Sequence, residues 1–186
     1  YAPIGTTLPA QSLAYGAAWP VGWVKLGDQK EGGKLSYSYE KMEIKTQNSR
    51  GGTVAVRRNS ETALFETVLA GWNKDNLILT LAGKSVNYTA ATTSVNGTAR
   101  VSVGGALCLP SYMWGFEGEV IDDECQESYY ARAFFHKGIV DSGFEAEFKF
   151  DDYVGLPLKI QALSDTSKTS NEQLIYIDLE IPATLD

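Results

Sequence analysis

The sequence predicts a mainly β fold: an antiparallel β-sandwich or open barrel of eight or nine strands, with one short α-helix at about 74–82. Three observations carry this. Several runs alternate apolar and polar residues with a period of two, among them residues 61–70, 112–121, 144–150 and 172–181. Aromatic residues with abundant Thr and Val favour pleated structure. Only one stretch, after Trp72, carries a capped helical pattern.

Residues 1–20 hold three of the six prolines among many Ala and Gly, and read as an extended N-terminal arm. Residues 21–186 read as a single domain, with order beginning at Trp23. Residues 27–34 are a polar turn region, and residues 35–46 the first long strand. Neither face of that strand is cleanly apolar, so it either continues past the monomer's core or meets a partner. Residues 47–52, QNSRGG, form a hairpin tip. Residues 53–57 and 61–70 are extended runs, the second placing Ala63, Phe65, Thr67 and Leu69 on one side.

Asn73 is a good N-cap, Asp75 complements the helix dipole, and Trp72 can close over Leu77. Leu77, Ile78 and Leu81 share a helix face, and Gly83 is placed as the left-handed stop. Residues 84–91 show no pattern and read as loop. Asn96-Gly97 is a strong two-residue hairpin signal. Residues 112–121, 127–140 and 144–150 are strands, the last two joined around Asp141-Ser142-Gly143. Residues 156–163 begin with Pro157 and read as an edge strand. Residues 172–181 close the fold, with Ile175, Ile177, Leu179 and Ile181 alternating against Tyr176, Asp178 and Glu180.

A chain of 186 residues is long enough to bury a real core. Its net charge of −7 repels nucleic acid, and no apolar run has the length of a membrane span. Cys108 and Cys125 make no disulfide framework and no zinc cluster; two unrelated small residues are the simpler reading. The chain begins at Tyr1, which points to a removed or omitted leading segment, although no signal-peptide pattern is present. Asn87-Tyr88-Thr89 and Asn96-Gly97-Thr98 match a glycosylation pattern short enough to arise by chance.

Candidate chemistry is sparse. His136 is the single histidine and lies mid-strand between aromatic residues, where a strand histidine bonded to its neighbours is the simpler reading. No G-x-S-x-G elbow accompanies it. Glu117 with Glu119, and Glu145 with Glu147, place carboxylates on one strand face, as a glycosidase requires across a cleft; such pairs are more often a solvated face. Asp122-Asp123-Glu124 and Asp151-Asp152 lack the ligand spacing of a calcium loop. Arg57-Arg58 has no phosphate-cradling glycines beside it. The sequence therefore offers no catalytic, cofactor-binding or metal-binding set.

The order Gly22-Trp23, Leu26-Gly27, a strand ending near Ile44, then Arg58, Glu61, Leu69, and finally Asn76-Leu77 and Leu81-Ala82-Gly83 resembles the major tail tube proteins of long-tailed bacteriophages. The likeness rests on the order of elements and covers about a third of the chain. It implies a structural virion protein, not an enzyme, that self-assembles into stacked hexameric rings. One sheet of the β-sandwich would join five neighbours' sheets into a closed barrel, a conduit for DNA ejection. It also implies tape-measure, tail terminator and distal tail proteins as partners, assembly in the host cytoplasm, and double-stranded DNA passing without specific binding. The loop Gln47, Asn48, Ser49, Arg50, Gly51 and Gly52 is then the inter-ring candidate, and Glu145, Glu147 and Lys149 the lumen-facing candidates. Two alternatives stand beside it: a carbohydrate-binding β-sandwich module, suggested by Tyr and Trp on sheet faces, and a small β-sandwich hydrolase. Formation of rings or tubes separates the first reading from both.

Overall fold

A computed structural model describes residues 1–45, 53–81, 84–105, 108–121, 128–141, 155–170 and 172–180. The fold is mainly β, and the described strands all pair antiparallel. β1 (Gln29–Lys45), β2 (Thr53–Leu69), β5 (Tyr112–Ile121), β6 (Ser128–Val140), β7 (Leu156–Ala162) and β8 (Ile175–Leu179) form one sheet, in the order β1-β2-β7-β6-β5. β8 pairs β6 off this path, and β3 (Lys84–Thr89) with β4 (Thr98–Ser102) makes a separate two-stranded sheet. The Phe65 ring on β2 stacks on Phe116 of β5 with centroids 3.6 Å apart. Two ladder strands separate their parent strands, so the sheet curls over its own core as an open barrel.

The core follows from alternation. Ala63, Phe65, Thr67 and Leu69 are buried in turn along β2, and Leu156, Leu158, Ile160 and Ala162 along β7. Trp114, Phe135 and Leu79 complete it, with the Trp114 Nε1–H donating to the Gly138 carbonyl at 3.1 Å. The helix α1 (Lys74–Thr80) starts as predicted, the Asn73 side chain accepting from the Asn76 amide at 2.7 Å. Its buried face differs from the expected one. Asn76, Leu79 and Thr80 point inward, because the Asn76 amide donates to Leu26 and Gly71 carbonyls and turns the helix about that anchor. The Leu81 backbone amide closes the helix, and Gly83 lies outside the described residues.

Other expectations are corrected by tertiary context. β1 begins at Gln29 and runs through Gly32-Gly33, read above as a turn. A Cβ at Gly33 would run into the Phe65 ring, so this glycine serves close packing inside a strand. The two runs at 53–57 and 61–70 are one strand of 17 residues; Arg58-Asn59-Ser60 only interrupt its register, with Ser60 opposite Glu40 and Arg58 opposite Lys41, and β1 pairs on either side of that bulge. Residues 84–89 are strand, not loop, paired with β4. The hairpin between β3 and β4 turns at residues 92–95, where Thr92 and Val95 bond each other, and Asn96-Gly97 only leads into β4. β7 is not an edge strand but lies between β2 and β6. Pro157 is tolerated because β6 pairs only from Ile160 onward, leaving one flank unladdered at the proline. β8 presents Ile177 and Leu179 outward, although alternation alone suggests a buried row. The predicted arm at 144–150 lies outside the described residues.

Candidate assembly surfaces

Three features stand out on this scaffold. The first is the β1–β2 ribbon. Its inner half is laddered to β7 at residues 64–69, whereas among the described residues 53–60 pair only with β1, and they are exposed on both faces. The strand at 35–46, read above as outrunning the core or meeting a partner, is β1, whose residues 37–43 are exposed alongside. Near the ribbon's middle, the Arg58 guanidinium lies 4.9 Å from the Tyr39 ring centroid and donates to Tyr37 Oη at 3.3 Å. It also pairs with Glu61 at 3.1 Å. These contacts stiffen an exposed ribbon that has no core beneath it.

The second feature is the N-terminal strap, residues 1–28, which lies over β5 and β6. Ala2 bridges Met113 with backbone bonds of 2.9 and 2.8 Å, Tyr15 stacks on Tyr130 at 3.9 Å, and Trp19 and Trp23 pack on Phe134. Gly115 must be glycine, because a Cβ there would meet the Trp19 ring. A buried ion pair pins the strap: Arg132 Nε donates to Glu117 Oε1 at 2.8 Å. Arg132 also donates to the Leu13 carbonyl, and Glu117 accepts from the Gly16 amide at 3.3 Å. Between strap and sheet is a cavity of about 790 Å³ lined partly by Trp19, Trp23, Phe65 and Phe116. Sequence reasoning missed this latch; its signal was a lone arginine within the apolar run YYARAFFH.

The third feature is a gap between β2 and β8. β7 and β8 lie in line along one edge of β6, β7 at residues 138–140 and β8 at residues 131–135. β2 flanks β7 but makes no ladder with β8, and a cavity of about 1060 Å³, lined by Leu35, Tyr37, Arg58, Leu163, Ile175 and Ile177 among others, opens there.

The chemical candidates do not converge. Glu117 is consumed by Arg132, so it is not a free acid facing Glu119. His136 is buried on β6, with Nδ1 unpartnered; burial pushes its pKa below the ordinary value, and Lys168 adds to this. No group of three or more metal-ligating side chains occurs among the described residues. Cys108 is exposed, while Cys125 and the acidic runs at 122–124 and 151–152 lie outside the described residues. So do the inter-ring candidates at 47–52 and the lumen candidates Glu145, Glu147 and Lys149. Among the described residues no helix is long and apolar enough to cross a membrane.

The described residues form a curled antiparallel sheet with a projecting ribbon and a strapped face. A family model described as phage tail tube protein matches residues 1–184, and the chain belongs to that family. Membership makes it a structural component of the virion tail, one that self-assembles into a tube. A search of curated proteins found no match.

Proposed function

We propose that the chain forms hexameric rings that stack into the tail tube, the conduit for DNA ejection, with sheets of neighbouring copies joined edge to edge. The observation that carries this reading is the ribbon, whose outer half is exposed on both faces and, among the described residues, has only one laddered flank. An isolated ribbon of that length is a poor structure for a monomer, and joining its edge to a neighbour removes the exposed backbone. The loop at 47–52, which links Lys45 and Thr53 at the far end, reaches the adjacent ring in this reading. The net charge of −7 suits a conduit that DNA passes without adhering. Tape-measure, terminator and distal tail proteins are the partners, and assembly takes place in the host cytoplasm. No cofactor and no catalytic step are assigned.

Shortening residues 47–52 to Asn-Gly tests the inter-ring role. Sedimentation of concentrated protein should then show monomers or single rings with unchanged thermal stability and no elongation. Normal tubes from the shortened chain would rule the loop out as the joint.

A further inference from the structure

The path β1-β2-β7-β6-β5 ends in β1 on one side and β5 on the other, and these two strands carry the edges at which the sheet can be extended. The β5 edge is bridged at one point among the described residues. Met113 exchanges backbone bonds of 2.9 and 2.8 Å with Ala2, so its backbone groups point off the edge. By alternation those of Gly115, Glu117, Glu119 and Ile121 point the same way, and no described strand pairs them there.

Direction along the sheet is fixed by counting. Each of the ladders along the path is antiparallel, so successive strands reverse. The path holds an odd number of strands, and β1 and β5 therefore run the same way. Rotation about a tube axis moves a copy round the ring without reversing its strands. An edge-to-edge ring thus sets β1 of one copy parallel to β5 of the next.

The exposed side chains on these edges suit such a seam. Leu35 pairs with the buried Phe65, so Tyr37 and Tyr39 continue the core face of β1 outward. Gly118 and Val120 continue the core face of β5 beyond Phe116 in the same manner. Tyr37 and Tyr39 are each 43% exposed and Val120 46%. In a joined sheet both rows lie on one face, and tyrosine rings cover a glycine and a valine of the adjacent strand.

We infer that β1 of one copy pairs in parallel with residues 115–121 of β5 in the next copy, giving an otherwise antiparallel wall one parallel seam per copy. The seam rests on the tube reading and names its joint. The occupant is a second copy because the family self-assembles into a tube. Within one copy no ladder joins β1 to β5, and Gln29 and Gly115 line a cavity of about 790 Å³ instead of pairing. Like edges joined about a two-fold axis would stop at a dimer, whereas unlike edges close into a ring.

Cysteine pairs read the direction of the seam. In chains carrying Cys108→Ser and Cys125→Ser, a single cysteine replaces Tyr37, Tyr39, Lys41, Glu43 or Lys45 in one copy and Gly118 or Val120 in the other. A Cβ at Gly118 meets nothing within 4 Å, so that site accepts the change. The copies are mixed one to one, assembled and oxidised, and linked heterodimers are measured on non-reducing gels, with thermal melts as the folding control. A disulfide needs Cβ atoms about 4 Å apart, and a step of two residues along a strand moves them by ~7 Å. The best pair should therefore exceed its neighbours roughly fivefold in yield. Whichever β1 position links best to Gly118→Cys, the best partner of Val120→Cys should lie two residues further toward the C-terminus. A best partner that stays put or moves toward the N-terminus overturns the parallel seam. So do tubes in which no pair links, or a doubly substituted chain that closes the disulfide within itself as a dispersed monomer. Parental protein that forms no rings or tubes overturns the tube reading instead.

Discussion

Replacing Glu117 by Ala leaves the Arg132 guanidinium, whose side chain is 8% exposed, without its carboxylate. The strap loses the Gly16 anchor at the same time, and among the described residues Arg132 retains only the Leu13 carbonyl. Breaking one member of a buried pair costs about 3–5 kcal/mol, and the lower end applies because the Glu117 side chain is 17% exposed. For a chain of this size, about 3 kcal/mol lowers the melting temperature by roughly 6–12 °C. Replacing both partners, Glu117→Met with Arg132→Leu, removes the uncompensated charge and should cost roughly 1 kcal/mol or less. The assay is thermal and urea unfolding of the unassembled protein for both variants. Limited proteolysis would follow the strap, which should become cleavable in residues 10–18 in either variant. A double variant no more stable than the single one, or a Glu117→Ala melt within about 2 °C of the parent, would refute the latch.

Three further outcomes follow. Asn73→Ala removes the cap of α1 and should cost about 1 kcal/mol, seen as a small drop in urea midpoint with unchanged m-value. His136 sits below its ordinary pKa because of burial, so the unfolded state binds the proton more readily. Its contribution is then intact above about pH 6.5 and is lost as pH falls from there toward the folded-state pKa, so the melting temperature should drop between pH 7 and pH 5 and do so less in His136→Gln. Glu145→Lys with Glu147→Lys should leave tube assembly intact and slow DNA release, most at low salt; unchanged ejection at every salt concentration would remove these residues from the lumen.

The sequence was a good guide wherever a rule of period or capping acts locally. β5 spans the predicted residues, β2 buries the predicted row from Ala63 to Leu69, and Asn73 caps the helix. It was a poor guide wherever a distant residue decides. Gly33 lies in a strand because Phe65 needs the space, and Pro157 sits in a central strand because β6 stops short of it. Asn76, buried through two backbone carbonyls, turned the helix face that apolar spacing placed on Ile78. The exposed row on β8 shows the reverse effect: alternation identified a strand with one apolar side, but whether that side is covered depends on what it meets. The ribbon was legible through its mixed faces, since a strand without a core has no reason to alternate. The latch of Arg132 and Glu117 was not, because nothing local to either residue specifies the other.

Negative-stain electron microscopy of the concentrated, purified chain bears most directly on the central claim. The account predicts rings of six copies, with stacks or long tubes of uniform diameter growing as concentration rises or when a seed is added. A chain that remains a dispersed monomer at high concentration, with and without seeds, would contradict it.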